Sequence, residues 1–387
     1  MSAAQWRRAM NGGLRASSSA DAARLTARAA PSRATTLGVA AASDPYAGSG
    51  APRWLKFFWR TLSPRHVFTL ALLLVFPWLA TPFLTFQVAA QALLLGTIAL
   101  SLTFLGGYGG MVSLAQMSVA GMSGYALAIF GSSSTPISLG WPWWLAVIVA
   151  LVIATACATV IGWLSVRTEG IYTIMITLAF GVAFYYLVLQ NYTVFNGFQG
   201  FQRVYPPEVL GLNWREPVPF YFLCLFWAMA AYLAVKWLVR TPFGIALQGV
   251  RDNPRRMAAL GFDVVAHRVA AYAVAGLMAA VGGVLLVWYN GLITPGSVNT
   301  GWQINILVIA VLGGMRHPIG AFLGAIIFVL LQTFAIDLID RERFNLVIGV
   351  VFLAIVLFSP DGLLGLWAKL RSRFGSNQTV TSLQRRH

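Results

Sequence analysis

The chain has 387 residues, of which 58% are hydrophobic and only 10% are charged, whereas about 25% are charged in a typical soluble domain. Its formal net charge is +16, yet no Asp, Glu, Lys or Arg occurs between Arg65 and Arg167. Because a water-soluble surface cannot be built from such a stretch, these numbers exclude a soluble globular protein and indicate a polytopic membrane protein. The basic excess has to be read by position, and no nucleic-acid partner is predicted from it.

The amino-terminal residues 1–52 differ in composition from the rest of the chain. They are rich in Ala, Ser and Arg, and their only acids are Asp21 and Asp44. A segment with so few core-forming residues predicts a disordered basic tail. Its composition also resembles that of an organellar transit peptide, and a start codon placed too early is a third interpretation. A second basic tail is predicted at 368–387, so the transmembrane domain is expected to span 53–367.

Apolar segments with the length of a membrane crossing follow one another along most of the chain. A hydrocarbon core of ~30 Å requires about 20 apolar residues in a helix. Since these segments are continuously apolar rather than alternating, they predict helices and not the strands of a barrel. The predicted fold is therefore all-α, a transmembrane bundle of about ten spans. The predicted spans are 67–84, 86–105, 111–130, 143–166, 170–190, 218–239, 268–290, 302–315, 318–336 and 344–360.

The distribution of Lys and Arg predicts the orientation of these spans, because cytoplasmic loops of membrane proteins carry the excess of basic residues. If the amino terminus is cytoplasmic, ten spans return the carboxyl terminus to the cytoplasm. All but four of the 27 basic residues then lie on the cytoplasmic side, so both termini are predicted to be cytoplasmic. The four basic residues outside are Arg203, Arg215, Arg341 and Arg343.

Several kinds of chemical site are missing from the sequence. It contains no GxxxxGK[ST] loop, no HExxH motif and no paired-Cys metal motif, so no catalytic residue, metal site or cofactor is predicted. Cys157 and Cys224 fall in predicted spans, where they are expected to pack as small apolar residues. Proton-driven transporters place Asp, Glu or His within the membrane, but the predicted spans are almost free of them. If the protein transports a solute actively, its energy is therefore expected to come from another subunit.

Uncharged polar residues occur within one predicted span, 111–130. Ser113 and Gln116 lie about one helical turn apart with glycines on both sides, so one face of this helix is narrow and polar. Two interpretations stay open: close helix packing, which small residues favour, and a polar path for a solute. Tyr172, near the start of the predicted span 170–190, is a third candidate for such a path.

The longest internal cytoplasmic segment reads TPFGIALQGVRDNPRRMAALGFD. Thr241-Pro242 predicts the start of one helix, and Asn253 is expected to cap a second helix whose first residue is Pro254. Gly261 is expected to end this second helix. The sequence therefore predicts a short helix beyond the membrane, which either lies on anionic lipid or docks a cytoplasmic partner.

Four stretches begin at Leu105, Arg167, Thr241 and Val311. They read LGGYGGMVSLAQMSVAGMSGYALA, RTEGIYTIMITLAF, TPFGIALQGVRDNPRRMAALGFDV and VLGGMRHPIGAFLGA. In this order they resemble motifs of the integral-membrane permeases of branched-chain amino acid ABC importers. Each motif alone is weak, whereas four in the family order are specific. The resemblance extends from about residue 86 to 367.

This resemblance implies a function and a set of partners. The chain would be one of two paired permeases that work in a bacterial inner membrane with two cytoplasmic ATPases and an external solute-binding protein. The segment 241–263 would be the coupling helix in an ATPase cleft, where Arg251 and Asn253 bond polar groups and Leu260 fills an apolar pocket. The residues at family-like positions are Arg251, Asp252, Asn253, Ala258, Ala259, Leu260 and Gly261.

Departures from the family pattern leave the solute open. Pro254 stands where the family has an acidic residue, and Ala115-Gln116 replaces Gly-His. A branched-chain amino acid is the leading prediction, and urea, a short amide or an aromatic acid is the alternative within the family. A self-contained secondary transporter or channel is the alternative outside it, and it requires an ion site that the predicted spans do not offer. A membrane enzyme would need clustered titratable groups, which the sequence lacks.

Overall fold

The computed structural model describes residues 73–168, 170–208, 211, 213–338, 349–350, 353 and 362–365. The predicted tails at 1–52 and 368–387 lie outside these described residues, as do most of the predicted tenth span and part of the first. The boundaries of the predicted transmembrane domain therefore stay predictions.

Helices account for most of the described structure, because a helix satisfies the backbone hydrogen bonds of a long apolar run within the run itself. The first, α1 (Gln91–Gly109), continues from a seven-residue π-helical segment, Leu84–Ala90. Residues 73–79 are also helical. The other helices are α2 (Gln116–Phe130), α3 (Trp143–Ser165), α4 (Ile171–Gln190), α5 (Tyr192–Phe195), α6 (Pro217–Leu238), α7 (Pro242–Asp252), α8 (Pro254–Ala259), α9 (Val264–Asn290), α10 (Thr300–Gly313) and α11 (Pro318–Leu338).

Five described helical segments are long and apolar enough to cross a bilayer: Leu84–Gly109, α3, α4, α6 and α9. A sixth crossing results if α10 and α11, which are bent by 117° at the break between them, form one broken span. Their prediction as two separate spans is not confirmed, because α10 has 14 residues and extends only ~21 Å. Helix α2, with 15 residues, is also shorter than the ~30 Å hydrocarbon core. The ten-span topology thus stays a prediction.

Helix α1 lies at the centre of the bundle. In the most apolar stretch of 18 residues of the span that contains it 83% of the residues are buried, against 33% in that of α3 and 28% in that of α4. Helices α6, α9 and α11 pack against α1, whose Leu94, Ile98 and Phe104 are fully buried. Since α3 and α4 leave most of their apolar surface uncovered, they form an outer face of the bundle that lipid or another membrane subunit can cover.

Small residues let α3 and α9 approach each other closely. Every fourth residue of α3 from Ala146 to Ala158 is alanine, and these alanines are buried. This spacing places them on one face of the helix. On α9, Gly276 lies so close to Ala158 that any Cβ at position 276 would overlap the alanine side chain. The two helices are therefore packed as membrane helices with small residues at their interface are.

The two ends of α9 meet different parts of the chain. At its start it follows α7 and α8, and Asp263 caps it by accepting a hydrogen bond from the Ala266 N–H at 3.0 Å. At its other end, about 40 Å away along the helix axis, strand β2 (Leu292–Ile293) pairs antiparallel with strand β1 (Phe201–Gln202). These opposite ends of the bundle are called the α7–α8 end and the strand end below.

Candidate functional site

The segment predicted to couple to an ATPase folds into two short helices at the α7–α8 end. Helix α7 begins at Pro242, directly after the capping residue Thr241. The backbone is extended at Asn253 (φ −155°), and Asn253 Oδ1 accepts a hydrogen bond from the Arg256 N–H at 3.0 Å. Helix α8 then begins at Pro254. Both predicted helix starts are confirmed, and the proline at each first position fits because it has no N–H to leave unpaired.

One face of α7 packs against the core of the bundle. In the last turn of α7, Arg251 donates a hydrogen bond from Nη1 to the carbonyl oxygen of Gly107 at the end of α1. Arg251 also pairs with Asp252, with Nε and Nη2 at 2.9 and 2.8 Å from Oδ1. This exposed ion pair stabilises the fold by only ~0–1 kcal/mol, so the main structural effect of Arg251 is to connect α7 to α1. The buried residues of α7 are Gly244, Ala246, Leu247 and Val250.

Helix α8 has no buried residue, and four of its six residues are exposed. Leu260, directly after it, is 68% exposed, and Ile245 on α7 is 63% exposed. Phe262 adds a third exposed apolar side chain. Gly261, in the left-handed region (φ +88°), follows the end of α8 as predicted. The exposed residues of α7, of α8 and of the turn up to Phe262 are called the α7–α8 surface. All seven predicted ATPase contacts belong to it: Arg251, Asp252, Asn253, Ala258, Ala259, Leu260 and Gly261.

Ser113 and Gln116 lie in the interior of the bundle, where the chain passes from α1 to α2. Both side chains are buried, and Gln116 Oε1 accepts a hydrogen bond from Ser101 Oγ at 3.1 Å. Ser113 Oγ accepts one from the Ala115 N–H at 3.3 Å. These buried polar groups are hydrogen-bonded within the chain, as buried polar groups generally are. The structure brings the two residues into one polar region, and their part in a solute path stays a prediction.

Tyr172 lies apart from the other two path candidates. It is the second residue of α4, and 70% of its surface is exposed. Helix α4 instead contributes Thr177 to the interior, where Thr177 Oγ1 accepts a hydrogen bond from the Leu114 N–H at 3.1 Å. The three predicted path residues therefore do not form one cluster in this chain.

Gln303, which the sequence motifs do not single out, also belongs to the polar interior. It is 1% exposed, and its Nε2 donates a hydrogen bond to Ser118 Oγ at 3.0 Å. Its Oε1 has no hydrogen-bond partner among the described residues. Because an unpaired buried oxygen is costly, Gln303 offers an acceptor for a water molecule or a polar solute. The signal in the sequence is a glutamine within the predicted span 302–315.

A cavity of about 420 Å³ opens at the strand end of the bundle. Within it, Tyr289 Oη donates a hydrogen bond to Gln87 Oε1 at 2.7 Å, and the Arg215 guanidinium lies 4.0 Å from the ring centroid of Tyr205. Aromatic walls with one cation suit a small solute that has both a carboxylate and an apolar side chain. The sequence does not indicate this cavity, because its lining comes from separate segments around residues 82–87, 205, 215–217 and 288–291.

The family described as the permease component of the branched-chain amino acid transport system matches residues 84–356. The chain belongs to this permease family.

Individual relatives are similar to the chain as well. The high-affinity branched-chain amino acid permease protein LivM of Escherichia coli K12 is 24% identical to this chain over 304 residues, which are 72% of this chain and 71% of that protein. A probable LivM of Methanocaldococcus jannaschii is 25% identical over 241 residues, 56% of this chain and 68% of the relative. A probable LivH of the same organism is 31% identical over 145 residues, 35% and 44% of the two chains. No solved structure matches the chain.

Membership of this permease family confirms the resemblance predicted from the four sequence motifs. The matched residues include α1 to α11, and with them the α7–α8 surface and the buried residues Ser113, Gln116 and Gln303. The relatives are transport permease proteins, and the apolar helices of this chain agree with a place in a membrane.

Proposed function

We propose that the chain is a permease subunit of an ATP-binding-cassette importer that moves a branched-chain amino acid across a bacterial inner membrane by alternating access. Two cytoplasmic ATPase subunits hydrolyse the ATP, an external protein delivers the solute, and a second permease pairs with this chain. The family supports this proposal, as do matches to both a LivM and a LivH of one organism. In the proposed topology ten spans leave both termini in the cytoplasm, on the side of the α7–α8 end.

The α7–α8 surface is the observation that carries the proposal. It follows the apolar span α6 and precedes the apolar span α9, so it stands just outside the membrane. Leu260, Ile245 and Phe262 expose apolar area there, and exposed apolar area of this kind marks a contact with another protein. The exposed Arg255 and Arg256 beside them suit carboxylates of that protein. An ATPase bound to this surface therefore moves α8 and α7 when it closes on ATP.

Helix α7 connects this surface to the centre of the bundle. Arg251 bonds to the Gly107 carbonyl at the end of α1, and Leu247 and Val250 are fully buried. A movement of α7 therefore displaces the end of α1, which belongs to the most buried span. Sliding of packed helices between two arrangements is one way in which a transporter changes the side to which its path is open.

The cavity at the strand end supports a solute with a carboxylate. The Arg215 guanidinium can pair with that carboxylate, while Phe86 and Tyr289 contact a branched apolar side chain. Urea and neutral amides have no carboxylate, so Arg215 contributes little to their binding. A branched-chain amino acid is therefore the preferred solute, and an aromatic acid ranks second.

A self-contained secondary transporter or channel is the competing function. Coupling to an ion gradient uses ionisable side chains at membrane depth. Within the five described spans the Asp, Glu, Lys, Arg and His residues are Lys236, His267 and Arg268, and all three lie near the helix ends at the α7–α8 end. Their position favours the importer, in which a partner supplies the energy.

Reconstitution into vesicles distinguishes the two functions. With the second permease, the ATPases and the solute-binding protein, the chain is expected to accumulate radiolabelled leucine only when ATP is present on the side of the ATPases. In vesicles that contain this chain alone, a proton or sodium gradient is expected to drive no uptake. Gradient-driven uptake by the chain alone would overturn the proposal.

A further inference from the structure

A second cavity, of about 400 Å³, lies at the α7–α8 end between α1, α6 and the bend that joins α10 to α11. Neither the α7–α8 surface nor the solute cavity includes it. Its described lining has three basic side chains, Lys236, Arg240 and His317, and no acidic one. Two phenol groups, Tyr108 and Tyr232, and several aliphatic side chains complete the lining. Such a lining suits an anion that also carries apolar groups.

The polar groups of this cavity are suited to the oxygens of a phosphate. Lys236 Nζ lies 5.6 Å from the ring centroid of Tyr232, a cation–π contact that orients the ammonium. Arg240 already interacts within the chain, and its guanidinium has five N–H donors. The hydroxyls of Tyr108 and Tyr232 are further donors. Charge-assisted hydrogen bonds from such a set are the strong contacts of phosphate sites.

The position of the cavity along the bundle matches the depth of lipid headgroups. Lys236 lies in the last turn of α6, and the next residue, Trp237, is 54% exposed. Just after α3, whose last turns pack near the start of α9, the Arg167 guanidinium lies 4.3 Å from the ring centroid of Trp163. Tryptophan together with Lys and Arg at helix ends is typical of the boundary between hydrocarbon and water. The basic side chains of the cavity therefore lie where the phosphates of membrane lipids are.

We propose that this cavity binds the phosphate of an anionic phospholipid headgroup. Lys236 and Arg240 pair with the phosphate oxygens, and the acyl chains lie along the outer face of α6, where Phe226 and Trp237 are exposed. Basic pockets between helices on the cytoplasmic side of a membrane are sites of this kind. The bound lipid contacts both α6 and the α10–α11 bend, and so it stabilises the α7–α8 end of the bundle.

Native mass spectrometry of the purified full-length chain tests this site. The probes are phosphatidylglycerol, phosphatidylcholine with the same acyl chains, and inorganic phosphate. The chain is expected to bind phosphatidylglycerol with the lowest Kd. The double variant Lys236→Gln/Arg240→Gln loses two cations and is expected to bind it about 10- to 30-fold more weakly. Arg167→Gln, which removes a cation at similar depth but outside the cavity, is expected to bind it as the unchanged chain does.

Two further variants separate lost binding from lost folding. The charge-conserving pair Lys236→Arg/Arg240→Lys is expected to keep the preference for phosphatidylglycerol. If the double neutral variant does not fold, as judged by its thermal unfolding midpoint, the single variant Lys236→Gln replaces it, with an expected loss of about fivefold.

Three results would overturn the lipid assignment. The first is unchanged phosphatidylglycerol binding in a folded neutral variant, and the second is equal binding of phosphatidylcholine. The third is displacement of phosphatidylglycerol by inorganic phosphate at equal concentration, which would assign the cavity to free phosphate.

Discussion

The exposed side chain of Leu260 gives a direct test of the α7–α8 surface as an ATPase contact. In this chain 68% of Leu260 is exposed. Complete burial of a leucine side chain contributes about 1.5–3 kcal/mol, so burial of the exposed part in a partner contributes about 1–2 kcal/mol. Leu260→Ala removes most of this apolar area and is therefore expected to weaken ATPase binding about 5- to 30-fold.

The same substitution is expected to leave the fold of the chain unchanged. Since Leu260 lies outside the core, its replacement is expected to change the free energy of unfolding by less than about 0.5 kcal/mol. Leu139 provides a matched control, because it is also an exposed leucine but lies between α2 and α3 at the strand end. Leu139→Ala removes the same atoms from a side that a cytoplasmic ATPase does not reach.

Two measurements check this prediction: the Kd of the purified ATPase for the chain in nanodiscs, and ATP-driven leucine uptake by the reconstituted importer. Leu260→Ala is expected to lose affinity and coupled uptake together, while Leu139→Ala keeps both. Unchanged ATPase affinity in Leu260→Ala, or an equal loss in both variants, would refute the reasoning, because the leucine would then not enter the interface.

Other substitutions test the connection of α7, the packing of the bundle and the solute cavity. Arg251→Glu, or deletion of 252–260, is expected to abolish ATP-coupled uptake while membrane insertion stays normal; normal uptake would remove the docking role. Gly276→Leu crowds the neighbouring alanine of α3 and is expected to lower the free energy of unfolding by about 1–3 kcal/mol, which is measured as a lower unfolding midpoint. Gly296→Ala is the control and is expected to be tolerated, because the nearest atom to the new Cβ is 3.5 Å away. Arg215→Gln is expected to raise KM for leucine about tenfold, because a charge-assisted hydrogen bond is lost; an unchanged KM would exclude the strand-end cavity from the solute path.

Local sequence signals are sufficient to predict the helices of the α7–α8 surface. Thr241-Pro242 and Asn253-Pro254 each join a capping side chain to a proline that fits the first helical turn. These signals act over a few neighbouring residues, so the helix starts that they predict do not depend on contacts with distant parts of the chain. The long apolar runs of α3, α6 and α9 are predictable for a similar reason, since their length alone matches a membrane crossing.

Features that depend on contacts between distant segments are not predictable in this way. The apolar composition around α2 and α10 predicts full spans, but residues 111–115 before α2 are not helical. Helix α10 ends before Gly314 (φ +101°), where the chain bends by 117° into α11. Because α4 is apolar on all sides, its sequence has no period that indicates which face is buried. The exposure of Tyr172 therefore cannot be predicted from the sequence of α4. Gln303 meets Ser118 only after α10 packs near α2.

The glycines at the end of α1 allow close packing at a place that also belongs to the proposed route of coupling. Gly107 lies so close to the Met315 carbonyl in the α10–α11 bend that any Cβ would overlap it, and a Cβ at Gly110 would lie 2.5 Å from Arg251 Cγ. The close approach of two other segments therefore explains these small residues without a solute path. Because α1, α7 and the bend meet here, α7 cannot move without shifting both of the others. In the proposed importer, this junction is where closure of the ATPases reaches the buried Gln116, which is hydrogen-bonded to α1.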